Sequence, residues 1–150
     1  MKNEERPQHQ ATARSRTVAT TVLMVATFMD LMDSTITNVA LPTIGKDLHA
    51  TPEQLEWTLA GYVIAFATLL ITGGRLGDIF GHRRIFVIGM VGFTLASLGA
   101  ALSQTGDLLV ATRVIQGAFA GIMVPQVLSS VQVMFAPEER APVLGIIGAL

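Results

Sequence analysis

Apolar residues along this chain gather into four runs of membrane-crossing length, separated by short polar segments. Roughly 20 residues of helix cross the hydrocarbon core of a bilayer. The runs extend from about Val18 to Leu41, Leu55 to Gly73, Ile85 to Leu102 and Leu108 to Phe135, and another opens at Gly145 and reaches Leu150. Residues 1–16 are polar and lack apolar periodicity, which predicts a disordered tail. The whole pattern predicts an all-α membrane protein, with a helical bundle over residues 17–150 that holds four complete transmembrane helices and the start of a fifth.

Small residues recur at intervals of four inside two of the runs: Gly92, Ala96 and Ala100 in the third, Gly117 and Gly121 in the fourth. That spacing lets helix backbones approach closely and predicts tight packing, without bearing on substrate. Pro125 lies inside the fourth run, which is long for one span. A kink there, with the last turns beyond the bilayer, accommodates both features.

Charge placement orients the bundle, because cytoplasmic loops are enriched in Lys and Arg. Lys2, Arg6, Arg14 and Arg16 precede the first run, Arg75, Arg83 and Arg84 separate the second from the third, and Arg140 follows the fourth. The alternate connections hold Lys46 beside Asp47, Glu53, Glu56 and Asp107. The amino terminus and the segment between the second and third runs are therefore expected in the cytoplasm, and the segments near 43–54 and 103–107 outside. A cleaved signal peptide is the competing reading of the start. The acids that follow Met29, and the lack of an Ala-x-Ala site, argue against it.

Composition narrows the class further. The 150 residues are 51% hydrophobic and 14% charged, against about 25% charged in a soluble domain, so lipid is the expected solvent. The absence of cysteine removes disulfides, thiolate metal sites and thiol nucleophiles. His9, His49 and His82 stand far apart without metal-ligand spacing, and the basic residues form no stripe suited to nucleic acid. No cofactor is expected, and no nucleophile–base pair suggests an enzyme.

Two carboxylates, Asp30 and Asp33, lie inside the first run. An acid in the bilayer costs roughly 2.5–3.5 kcal/mol on insertion scales, which makes each a candidate proton or ion site. On a helix Asp30, Asp33, Ser34 and Thr37 share one face, opposite Leu31, Thr35 and Val39. Asp33 lies about eight residues, roughly 12 Å, from the outer end of its run, and Arg113 about six residues, roughly 9 Å, from the outer end of the fourth. The two helices run in opposite directions, so the charges arrive at similar depths and can pair, offsetting much of the cost of burying either. Protonation of Asp33 would then release Arg113 and couple proton binding to a helix rearrangement; a static ion pair is the plainer reading. Asp30 either binds a proton or solvates a cavity.

Between the second and third runs stands the segment Gly74 to Arg84. Gly74, Gly77 and Gly81 predict a tight turn, in which Asp78 accepts hydrogen bonds from a helix amino terminus. Arg83 and Arg84 would face water or anionic headgroups. A glycine-rich loop with positive-inside arginines accounts for the same residues. The lack of a Gly-Lys-Ser/Thr ending argues against a phosphate-binding loop.

Taken together, three segments resemble the major facilitator superfamily. Gly74, Leu76, Asp78, Gly81, Arg83 and Arg84 match its Gly-x-Leu-x-Asp-x-x-Gly-x-Arg-Arg signature between helices two and three, with Ile79 and His82 where many members carry arginine. Arg113 to Gly117 is similar to the helix-four Arg-x-x-Gln-Gly motif, which the family associates with proton coupling. Asp33 to Pro42 resembles the helix-one motif of the fourteen-helix drug:proton antiporter branch. The likeness runs from about Thr17 to Leu150.

The resemblance implies a carrier of about fourteen helices in two pseudo-symmetric halves that rock about a central cavity. It implies proton coupling by Asp33, Arg113 and Asp30, with Thr37, Asn38, Gln116, Gly117 and Gly121 lining a cavity or packing helices. Gly74, Asp78, Gly81, Arg83 and Arg84 would form a cytoplasmic gating loop, with Asp78 engaging the second half. The implied partners are the lipid bilayer, protons, a small-molecule substrate and the carboxy-terminal half of the same carrier. The expected function is a multidrug efflux antiporter in the cell membrane, exporting drugs or small amphipathic metabolites. This chain is expected to be its amino-terminal fragment, inactive alone. The contrasting expectation is a non-transporting four-helix module, a sensor or assembly partner, in which Asp33→Asn and Arg113→Ala leave function intact.

Overall fold

The computed structural model describes residues 13–134, which form four helices with no strand among the described residues. They are α1 (Ala13–Asp47), α2 (Pro52–Phe80), α3 (His82–Ala101) and α4 (Gly106–Met134). The residues before Ala13, Arg140 and the apolar run at Gly145 lie outside the described residues. α1 starts inside the expected tail and continues through Pro42 to Asp47, past the expected end at Leu41. A proline is tolerated in such a helix where neighbouring groups re-satisfy the freed carbonyl. α4 is likewise continuous through Pro125.

The connection between α1 and α2 is correspondingly short. Thr51 stops it with a capping box: its hydroxyl accepts from the Gln54 amide at 3.3 Å, and Gln54 Oε1 accepts from the Thr51 amide at 2.9 Å. Two otherwise orphaned amides are satisfied this way, and Pro52 suits the first helical position, where its missing N–H costs nothing. Gln54 also donates from Nε2 to Asp107 Oδ1 at 2.6 Å, tying the starts of α2 and α4 together.

The segment expected as a glycine turn is almost wholly helix. α2 runs through Gly74 and Gly77 to Phe80, α3 begins at His82, and Gly81 alone breaks the chain, at φ 93°. That backbone angle is open to glycine at little cost. Gly77 instead makes room for a neighbour, because a Cβ there would overlap the Gln126 side chain of α4. Nor does Asp78 cap α3: Gly81 occupies the cap with no side-chain hydrogen bond, and Asp78 is exposed on the last turn of α2.

α2 and α4 run parallel, with backbones in contact. A Cβ on Gly117 would strike the Tyr62 carbonyl, one on Gly121 the Phe66 carbonyl, and one on Gly73 would come within 2.7 Å of the Gly121 oxygen. α3 runs antiparallel to α4, with Gly92 facing the Phe119 ring and Gly89 facing Met123. Tyr62, Phe93 and Ala120 form the core between these three helices, flanked by Phe66 and Phe119. α1 leans on this unit with far less direct packing, and Val25, Phe28, Ile36 and Val39 remain exposed.

Among the described residues, Pro52–Phe80, His82–Ala101 and Gly106–Ser130 are long and apolar enough to cross a membrane. α1 has the length, but Asp30, Asp33, Asn38 and its threonines dilute the apolar run, so three of the four expected spans meet both criteria. Apart from Asp30, Asp33 and Arg113, charged residues gather at the ends: Arg75, Asp78, Arg83 and Arg84 near the α2–α3 junction, and Lys46, Asp47, Glu53, Glu56 and Asp107 at the other.

Candidate functional site

Two acids on one face of α1 meet the α2–α4 pair at two points, one turn apart. Asp33 Oδ2 accepts from Arg113 Nη1 at 2.5 Å, and Asp33 Oδ1 accepts from Gln116 Nε2 at 2.8 Å. Gln116 Oε1 in turn accepts from Arg113 Nη1 at 2.8 Å, closing a three-member ring between α1 and α4. Arg113 and Gln116 are one turn apart on α4, as three-residue spacing on a helix requires. Arg113 is 3% exposed and Gln116 fully buried, whereas the Asp33 side chain keeps 17% of its exposure. The Arg113 Nε is buried without a hydrogen-bond partner among the described residues.

The second contact was not legible in the sequence. Asp30 Oδ1 accepts from the hydroxyl of Tyr62, on α2, at 2.5 Å. The Tyr62 ring lies 4.6 Å from the Arg113 guanidinium carbon, and its negative face attracts that cation. Tyr62 therefore touches both halves of the site: its oxygen restrains one acid and its ring supports the base that holds the other. It is the chain's one tyrosine, set in an apolar run, and that was the available signal. Pairing it with Asp30 requires the arrangement of α1 against α2.

A cavity of about 430 Å³ opens beside the ring of polar groups, lined by Phe28, Met32, Asp33, Thr37, Phe93 and Arg113 among others. Thr37 thus shares a cavity with Asp33. Asn38 does not join them, because its amide donates to the Ser34 carbonyl of its own helix at 2.8 Å and stays exposed. Gly117 and Gly121 serve helix approach rather than the cavity. Gly74, half-buried, and the exposed Asp78, Gly81, Arg83 and Arg84 stand at the far end of α2 and start of α3, remote from the ring. No group of His, Cys, Asp and Glu suited to a metal occurs among the described residues.

Tyr62→Phe separates the two roles of this residue, since it keeps the ring beneath Arg113 and removes the bond to Asp30. The expected loss of stability is about 1 kcal/mol, the scale of one hydrogen bond in a membrane interior. Thermal unfolding of the purified full-length protein measures it, and an unchanged midpoint would show that the phenol contributes nothing to holding α1.

The chain has relatives whose names describe a transporter or resistance to antibiotics or drugs. It is 43% identical over 133 residues to a probable actinorhodin transporter of Streptomyces coelicolor, covering 89% of this chain and 23% of the relative. It is 40% identical over 131 residues to a puromycin resistance protein of Streptomyces alboniger, covering 86% of this chain and 26% of the relative. A probable multidrug resistance protein of Escherichia coli, EmrY, is 37% identical over 127 residues, with 85% of this chain and 25% of that protein covered. The chain thus spans about a quarter of the length of the curated relatives it matches. The sequence profile of the Major Facilitator Superfamily matches residues 23–150. With membrane-length helices and this match over most of its length, the chain is a membrane protein and belongs to the Major Facilitator Superfamily, a family of transporters and not of enzymes.

Proposed function

We propose that this chain forms the amino-terminal bundle of a proton-coupled antiporter that exports drugs or small amphipathic metabolites across the cell membrane. The observation that carries the reading is the closed ring of Asp33, Arg113 and Gln116, with Tyr62 and Asp30 beside it. A charge pair held between two helices, at the depth of a spanning segment, is costly unless both members are satisfied. Protonating Asp33 removes one charge and leaves Arg113 buried without its counter-ion. The favourable response is to move α1, which packs less closely against the rest than the other helices do. Proton binding and helix movement are thereby one event.

The names of the relatives support export of antibiotics and other drugs, and the apolar walls of the cavity, with Met32, Phe28 and Phe93, suit amphipathic molecules. The arginines at the α2–α3 junction support a cytoplasmic position for that end, and hence for the amino terminus. On this reading Gly74 to Arg84 faces the cytoplasm, with Asp78 exposed to engage the carboxy-terminal half of the carrier.

Arg113→Lys tests the coupling. Nη1 alone bridges Asp33 and Gln116, and a lysine ammonium has donors enough for both, but it lacks the planar, delocalised group over Tyr62 and the rigid fork that holds the two bonds in one geometry. In proteoliposomes of the full-length protein, drug-driven proton flux should fall about tenfold, equivalent to roughly 1.4 kcal/mol, with drug binding retained. Wild-type coupling in the variant would reduce the pair to a structural tie, and drug transport by the wild type without proton flux would favour a carrier driven otherwise.

A further inference from the structure

At the opposite end of α2 and α4 from the capping box lies a second polar cluster, in which His82 and Gln126 have no part in the antiporter reading. Gln126 is fully buried, and its Nε2 donates to the Gly73 carbonyl at 2.7 Å and to the Ile122 carbonyl at 3.0 Å. Both amide hydrogens are thereby spent on acceptors, which fixes the orientation of the side chain. Gln126 Oε1 then faces His82 Nδ1 at 2.8 Å, and as an acceptor it requires that Nδ1 carry a hydrogen. In neutral histidine the other nitrogen is then a bare lone pair. That nitrogen, Nε2, lies 3.5 Å from Asp78 Oδ1 across one turn of the α2–α3 junction. A lone pair facing a carboxylate makes no bond, whereas a protonated Nε2 would pair with it.

We propose that His82 is a proton-binding site separate from the Asp33–Arg113 ring, whose protonation draws Asp78 onto the α2–α3 junction and whose deprotonation frees it. Gln126 holds the imidazole in the one tautomer that makes Nε2 the titrating atom, and Gly77 leaves the space in which the two side chains meet. The charged neighbours act in both directions. From α2, Asp78 favours the imidazolium, and exposed Arg75 opposes it. From α3, Arg83, Arg84 and the helix amino terminus at His82 oppose it, and α4 contributes only uncharged Gln126 among the described residues. A proton on Nε2 gives Asp78 a donor within one turn, and its absence leaves the carboxylate facing a lone pair, so the freedom of Asp78 follows the charge of the imidazole. Asp78 is 73% exposed and able to meet a partner when His82 is neutral. The proposal does not depend on the antiporter reading, and it holds whatever Asp33 does.

Nitrogen NMR of histidine-labelled full-length protein in nanodiscs tests it, with the His82 signal identified by its loss in His82→Gln. The neutral form should be the Nδ1–H tautomer, and Asp78→Asn should lower the proton affinity of His82 about twofold, the scale of an exposed ion pair. Gln126→Leu should abolish the tautomer preference; if that variant fails to fold, Asp78→Asn still decides. A neutral Nε2–H tautomer in the wild type, or an unchanged proton affinity in Asp78→Asn, overturns the proposal.

Discussion

Asp33→Asn in the full-length protein is expected to abolish proton-driven export while the bundle still folds. The carboxylate accepts from two donors, Arg113 Nη1 and Gln116 Nε2. Asparagine keeps one acceptor oxygen and turns a pair of N–H donors toward the other, so one of the two bonds becomes a repulsion. Removing one member of a buried pair costs about 3–5 kcal/mol. The residual 17% exposure of Asp33 lets water repay part of this, so the unfolding midpoint should fall without collapse. Transport should drop about 100-fold or more, because a neutral amide cannot exchange a proton and about 1.4 kcal/mol corresponds to each factor of ten. Drug export from proteoliposomes under an imposed pH gradient is the measurement. Wild-type export by this variant would remove Asp33 from the coupling mechanism.

The second large effect is expected from a single methyl group on the far side of the same helix pair. Gly117→Ala places a Cβ against the carbonyl, carbonyl carbon and Cα of Tyr62, all backbone atoms with no rotamer to yield. α2 and α4 must separate, at about 1–3 kcal/mol for overpacking of this kind. Gln116 precedes Gly117 and Tyr62 carries the bond to Asp30, so coupling should decline along with the unfolding midpoint. Gly74→Ala is the control: its Cβ would meet only the Pro125 Cβ, at 3.8 Å, an ordinary contact. Its effect on the midpoint should stay within about 0.5 kcal/mol. Equal midpoints for Gly117→Ala and Gly74→Ala, read by thermal unfolding in detergent, would mean that the two backbones are not in contact.

That contrast marks the limit of reading glycines from sequence. Gly74, Gly77 and Gly81 stand in one segment and all suggest a turn. Only Gly81 provides one; Gly77 yields its space to Gln126, and Gly74 is merely compatible with helix. A missing side chain serves backbone freedom and close approach equally well, and the sequence does not distinguish them. The pairing of Asp33 with Arg113 was legible for the opposite reason. Both charges are expensive in lipid, they lie at matched depths on oppositely directed helices, and few other groups could satisfy them.

The apolar runs, their lengths and the polar stripe on α1 by themselves determined a helical membrane bundle with ionisable groups inside it, because the cost of placing backbone and charge in lipid leaves few alternatives. The family likeness follows from motifs that are local in the chain. Only the tertiary structure decided that Tyr62 joins Asp30 to Arg113, that Gln116 closes the ring and Asn38 stays outside it, and that Gln126 orients His82 toward Asp78. Each of those contacts depends on how one helix is rotated and shifted against another. That register is set by where glycines let backbones touch, and residues far apart in the chain specify it jointly.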